Sequence, residues 1–225
     1  MAAWRPLRRP VGGTGVADAQ IMRKLSIALT ALLALMVSAG PASAGAPTDQ
    51  LRTQVDNVMR VLDDPALKGK AAERRGAIRR IASVVFDYNE MARRALGTHW
   101  NARTPEERQE FVTLFSDLLD RAYFSKIDTY QGEKVRYGTE TVDGDQATVK
   151  TAVIGKDGKE IPIDYRMHQT NGRWTVYDVN IGGVSLVANY RTQFNRVVTT
   201  ESYDSLVQRL RDKDATPAAS PASGT

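Results

Sequence analysis

The sequence predicts an α+β domain: N-terminal helices, one curved antiparallel sheet and a returning C-terminal helix. Three observations carry this. Before Gly132 the apolar residues recur with the 3.6-residue period of amphipathic helices, and after it the period falls to 2. Asp143-Gly144, Asp157-Gly158 and Asn171-Gly172 divide the alternating stretch, and such dipeptides are strong hairpin signals. After Gly182-Gly183 the helical period returns. Helices, then consecutive hairpins, then a helix describe an antiparallel meander rather than a parallel α/β sheet. A curved sheet wrapped by helices can enclose an apolar cavity.

The first helix begins near Thr48, where Leu51, Val55, Val58, Met59 and Leu62 share a face, and Asp63-Asp64-Pro65 stops it. A second runs from about Lys70 to Val85, with Ile78, Ile81, Ala82 and Val85 on its apolar side. A third spans Asp87 to Leu96 and ends at Gly97, a natural C-terminal capping residue. The fourth opens with Thr104-Pro105-Glu106-Glu107: threonine caps, proline sits at the first helical position, and Glu107 completes a capping box. Its stripe is Phe111, Leu114, Phe115, Leu118, Leu119, Ala122, Tyr123, Ile127 and Tyr130.

Four strands are expected, at about 133–142, 145–155, 160–170 and 173–181. Val149, Thr151 and Val153 share a face, as do Ile161, Ile163, Tyr165 and Met167. The fourth strand carries apolar groups on both faces: Trp174 and Val176 on one, Tyr177, Val179 and Ile181 on the other. Gly182-Gly183 is expected to end the sheet. The last helix starts at Ser185, a capping residue, with Val187, Tyr190, Phe194, Val197 and Val198 as its stripe. It breaks near Thr199–Ser202 and resumes at Tyr203. Residues 214–225 are rich in Ala, Pro and Ser and are expected to be disordered.

Residues 1–44 read as an extension and an export signal, with the domain at 45–213. Met22-Arg23-Lys24 is a short basic segment, Leu25–Val37 an apolar run of 13 residues, and Ala42-Ser43-Ala44 a signal-peptidase pattern. The run is short for a bilayer span. Residues 1–21 fit no signal, so Met22 is the expected start. The chain of 225 residues has formal charge +5 and pI about 9.5. Five basic residues and one acidic residue fall in the first 44, leaving 26 basic and 25 acidic beyond them. The basic character belongs to the leader, and no nucleic-acid partner is expected.

There is no cysteine, which excludes disulfides, thiolate metal sites and cysteine nucleophiles. His99 and His168 are too far apart for a local metal motif. No nucleophile elbow, phosphate loop, zinc-protease or dinucleotide motif occurs, so no catalytic and no metal residues are expected. Glu106 and Glu107 read as capping, Asp87 and Glu90 as first-turn charge, His99-Trp100 as a packed loop, and Asp178 as a solvated carboxylate at a strand end. The inward apolar residues fit either a filled core or a hollow one. Lys68, Lys70, Arg74, Arg75, Arg79 and Arg80 are either a solvated face or a docking patch.

Three segments in order and in register carry a resemblance. They are Ala95-Leu96-Gly97-Thr98-His99-Trp100 with Thr104-Pro105-Glu106-Glu107, then Trp174-Thr175-Val176-Tyr177-Asp178-Val179, and then the run from Gly182 to Phe194, GGVSLVANYRTQF. The chain resembles, over about 48–213, the MlaC-type phospholipid-binding proteins of the toluene-tolerance family. The resemblance implies an NTF2-like sheet with added helices and a soluble periplasmic carrier without catalysis. Its cargo would be a phospholipid rather than a cofactor. Its partners would be an outer-membrane lipoprotein–porin complex and an inner-membrane ABC transporter with an MCE-domain protein. An NTF2-like small-molecule enzyme or sensor is the alternative. On the carrier reading, the acyl chains are expected against Phe111, Leu114, Phe115 and Leu118 of the fourth helix, Val149, Val153, Ile163, Tyr165 and Met167 of the sheet, and Tyr190. Partner docking is expected at Arg74, Arg75, Arg79 and Arg80.

Cleavage is expected after Ala44, so N-terminal sequencing of exported protein should begin at Gly45; a mature chain that keeps Leu25–Val37 would contradict the export signal.

Overall fold

The computed structural model describes residues 46–127 and 130–212; the leader, the cleavage site and the Ala/Pro/Ser-rich tail lie outside them. Helix α1 spans Ala46–Asp63, α2 Ala71–Val85, α3 Tyr88–Leu96 and α4 Pro105–Ile127. A meander follows: β1 (Lys134–Asp143), β2 (Gln146–Ile154), β3 (Glu160–Thr170), β4 (Arg173–Ile181) and a short β5 (Val184–Ser185). The last described elements are α5 (Leu186–Thr200) and α6 (Tyr203–Arg211). The sheet is antiparallel throughout, in the order β1-β2-β3-β4-β5. The architecture is the α+β arrangement expected from the change of period.

Local chemistry sets the boundaries. Thr104 Oγ1 accepts from Glu107 N at 3.2 Å, and Glu107 Oε2 accepts from Thr104 N at 2.8 Å, a reciprocal capping box. Ser185 and Ser202 cap α5 and α6 through hydroxyls that accept from Ala188 N and Ser205 N. Gly97 ends α3 at φ 60°, and a Cβ there would meet Arg191 Cδ at 3.3 Å, so both backbone and packing select glycine. Tyr130 falls outside α4, which is described to Ile127.

Two expectations about the sheet are corrected. Gly182-Gly183 does not end it. Both glycines take positive φ (59° and 89°) and turn the chain into β5, a two-residue return that any side chain would strain. The fourth strand does not divide its apolar residues as expected either. Met167 pairs with Val176 and Arg166 with Asp178, so Tyr177 is an extra residue, a β-bulge. The bulge shifts the alternation by one position. Trp174, Val176, Val179 and Ile181 therefore all register with the Ile163–Met167 side, while Asp178 turns to the opposite face.

The apolar residues gather in two clusters. Helices α3, α4, α5 and α6 form one, around Phe111, Phe115, Tyr190 and Phe194, whose rings meet at 5.3–6.0 Å. The other lies between one face of the sheet and α1: Leu51 packs against Ala147, Val149, Met167, Trp174, Val176 and Val179.

Asp178 holds the sheet to the helical layer. It was expected to be solvated, but it is only 3 % exposed. Its carboxylate accepts from Val187 N at 3.0 Å and Ser185 Oγ at 2.7 Å, satisfying donors at the first turn of α5. Asp178→Ala strands those donors in the interior and should lower stability by about 3 kcal/mol in urea unfolding, with Asp178→Asn losing less because it keeps a carbonyl acceptor.

Candidate functional site

The strongest candidate is the sheet face covered by α1 and α2. Its floor is Val149, Met167, Val176 and Val179, each buried, with Ile163, Tyr165 and Ile181 partly exposed at its edge. Its lid is Leu51 and Val55 of α1 with Val85 and Phe86 at the end of α2. These lid residues stand at helical spacing in the sequence, but nothing in a helix's own periodicity says which layer it will cover.

Polar contacts fasten the lid at its margins. Glu140 on β1 accepts from the N–H and hydroxyl of Thr48 at 2.8 and 2.5 Å. Gln50 accepts from Trp174 N on β4 at 3.0 Å, so α1 is tied across the sheet from β1 to β4. At the far end of α2, Phe86 bridges to Val176 and Asp87 N donates to Val176 O at 2.9 Å. Asp87 also caps α3 through Glu90 N and lies 2.9 Å from His168 Nε2 on β3. A third attachment joins α2 to α4: Arg79 Nε lies 2.6 Å from Asp120 Oδ2.

The space under the lid is small. A half-open hollow of about 130 Å³ remains between α1, α2 and the strand ends, lined by Leu51, Val84, Val85, Met167 and Trp174 together with the polar Gln50, Thr53, Gln54 and Arg173. That is the scale of a hollow that admits one benzene, far below a drug-sized pocket. A larger depression, about 530 Å³, is polar and lies near Asp87, Tyr88, Arg173 and Thr175. Among the described residues no group of three or more His, Cys, Asp or Glu could hold a metal ion, and no helix is long and apolar enough to cross a membrane.

The residues expected to meet acyl chains therefore divide. Val149, Ile163, Tyr165 and Met167 come together beneath α1. Val153 shares their face, but it pairs with Val135 and Ile161 beyond the cluster and is partly exposed. Phe111, Phe115, Leu118 and Tyr190 are fully buried in the helical cluster, with Leu114 packed at its edge. The helix that faces the sheet is α1, not α4, because α3, α5 and α6 cover the α4 stripe. The basic residues also differ among themselves. Arg75 and Arg80 are exposed, Arg74 is partly buried, and Arg79 is engaged with Asp120. His99 contacts Asn195 at 2.9 Å and belongs to the packed 97–102 loop.

A family model for MlaC protein matches residues 52–212, most of the chain. The chain belongs to the MlaC family. It is 21% identical over 129 residues to the intermembrane phospholipid transport system binding protein MlaC of Haemophilus influenzae. It is 26% identical over 120 residues to the toluene tolerance protein ttg2D of Pseudomonas putida. These alignments take in 55% and 52% of this chain and 60% and 56% of the relatives, so the chain spans somewhat over half the length of each. A solved phospholipid-binding protein from Ralstonia solanacearum, in complex with a phospholipid, superposes with a TM-score of 0.66 at 28% identity. That match covers 77% of this chain and 98% of the other. The MlaC fold is thus shared with a protein whose crystal held a lipid.

The Arg79–Asp120 attachment yields a pH dependence. Burial raises the Asp120 carboxyl above the ordinary range, and the Arg79 guanidinium offsets this only in part. The folded chain therefore holds that proton more tightly than the unfolded chain. Its contribution to stability is complete below the ordinary aspartate pKa and is lost as pH rises through the raised value. Asp120→Asn should flatten this part of the stability–pH profile. Arg79→Ala, which leaves the buried carboxylate without its guanidinium, should cost about 1–3 kcal/mol at neutral pH, and Asp120→Asn should recover most of that loss in the double variant, as read by thermal unfolding.

Proposed function

We propose that this chain is a non-enzymatic carrier of a phospholipid, with the acyl chains held between the sheet face and the α1–α2 lid. The observation that supports this most is the lid itself. A largely apolar floor is closed by two helices whose hydrogen bonds to the sheet lie at the margins, so the middle of the layer, around Leu51, Val149, Met167 and Val176, is held by apolar contact. Acyl chains can replace Leu51, Val55 and Val85 against Val149 and Met167 without stranding a polar group. The exchange is apolar for apolar and leaves the helical core with Phe111, Phe115 and Tyr190 intact.

Magnitudes explain why such a layer must open widely. Two acyl chains hold about 30 methylenes, each costing roughly 0.8 kcal/mol in water, so an uncovered lipid lies tens of kcal/mol uphill. A 130 Å³ cavity covers almost none of that area. Loading therefore displaces the lid, and unloading lets Leu51 return to the floor. The closed form keeps the empty floor from water.

The setting follows the family reading: a periplasmic shuttle that meets an outer-membrane lipoprotein–porin complex and an inner-membrane ABC transporter with an MCE-domain protein. Arg75 and Arg80 lie exposed on α2, one of the two lid helices, and are assigned to docking. Surface charge of this kind sets encounter rate and its salt dependence. An enzyme or sensor on this fold would need a reactive base on the floor. The polar groups on that face include Thr151, Tyr137, Tyr165, Gln169 and, at the rim, Glu140 taken up by Thr48.

Organic extraction of the purified protein followed by lipid mass spectrometry should recover a diacyl phospholipid. Ile163→Asp places a carboxylate at the edge of the apolar floor and should abolish that lipid while circular dichroism remains that of the wild type. A wild-type protein that is free of lipid and takes none up from vesicles would overturn the carrier.

A further inference from the structure

One buried hydroxyl on the lid-covered face has no hydrogen-bond partner among the described residues. Tyr137 of β1 pairs with Thr151 of β2, which pairs with Ile163 of β3, so all three lie on the floor side of the sheet. The Thr151 hydroxyl is satisfied by donating to Ile163 O at 3.0 Å. The Tyr137 hydroxyl is shielded from solvent and bonds to nothing among the described residues. A buried donor left in this state is costly, and such an orphan calls for an explanation.

Its surroundings place it at a boundary. Thr48, Arg52 and Asp56 recur every four residues along α1 and form a polar stripe toward β1. Thr48 bonds Glu140, the exposed Arg52 guanidinium stacks on the Tyr137 ring at 4.6 Å, and Asp56 is close enough to act on the phenol's charge. The neighbouring stripe of Leu51 and Val55 covers the apolar floor. Tyr137 thus stands where the polar rim at β1 gives way to the apolar layer. A lipid with its chains on the floor and its headgroup in water has its glycerol ester groups at that level. Burial pushes the Tyr137 phenol up to about 12, so at neutral pH it is protonated and a donor.

We infer that the Tyr137 hydroxyl donates a hydrogen bond to an ester carbonyl of the bound glycerophospholipid, so that this residue selects diacyl esters over ethers of the same chain length. This rests on the carrier reading above. In the closed form the phenol has no acceptor, and loading supplies one, so the bond also favours the loaded state over the empty one.

The test is competition between a diester and a diether phosphatidylcholine of equal chain length for delipidated protein, read by native mass spectrometry. Wild type should prefer the diester by roughly 3- to 10-fold, the ratio expected of one net hydrogen bond. Tyr137→Phe keeps the ring beneath Arg52 and should bring the ratio to unity, with the melting temperature of the empty protein unchanged or higher. Thr175→Val removes another orphaned hydroxyl, on the opposite face, and should leave the preference as in wild type. Equal binding of both lipids by wild type, or the same preference retained in Tyr137→Phe, would overturn the inference while leaving the carrier standing. Failure of wild type to bind either lipid would instead remove the carrier reading on which the inference rests.

Discussion

The structure turns on the bulge at Tyr177. A regular strand alternates, and β4 paired regularly, without the bulge, would send either Val176 or Val179 away from the floor. With the bulge, both join Met167 and Tyr165 on the lid side, and Asp178 is released toward the helices. One strand then serves two layers. Its apolar side completes the sheet cluster, and its carboxylate, only a residue from the bulge, anchors α5. Tyr177 itself packs edge-on against His168 and lies beneath the Arg94 guanidinium of α3, so the extra residue also ties the helical layer to the sheet. Bulges aim side chains as well as bending strands, and here the aiming lets a thin sheet carry a core on one side and a helical body on the other.

The two clusters differ in what they can tolerate. The helical one is filled by rings in mutual contact, with Phe111, Phe115 and Tyr190 wholly buried, and such packing leaves little room for alternatives. The layer beneath α1 is built of aliphatic contacts with partly exposed residues at its edge and few polar bonds across its middle. Apolar contact is non-directional, so a layer of this kind can separate and close again without losing a unique set of bonds. A rigid body beside an aliphatic layer is the division of labour that the proposed carrier requires.

Much of this was legible in the chain because it is local. The capping box at Thr104, the serine cap at 185 and the three Asx-Gly hairpins each declare themselves within four residues, and each stands where the sequence places it. The partnership of faces was not legible. The α4 stripe is the longest in the sequence, which is why it reads as the wall facing the sheet, yet the shorter α1 stripe has that place, because α3, α5 and α6 cover α4. The burial of Asp178 is hidden in the sequence for a related reason. An aspartate beside apolar strand residues reads as an exposed end, and its acceptors' partners, Ser185 and Val187, are brought to it only by the Gly182-Gly183 turn. The orphaned Tyr137 hydroxyl was invisible as well, since a donor without a partner leaves no pattern.

The order of elements along the chain has a consequence for how the protein is assembled. Tyr190, Phe194, Leu206 and Leu210, which complete the helical cluster, all come from the last elements. Helices α3 and α4 are made long before them and cannot bury their stripes until residues 186–211 arrive. The donors that satisfy Asp178 come late too. A chain emerging from its N-terminus therefore has its hairpins, whose contacts are short-range, available early, while consolidation waits for the final segment. Folding is in this sense licensed by the C-terminal helices: an unfinished chain stays open until its last two helices are free.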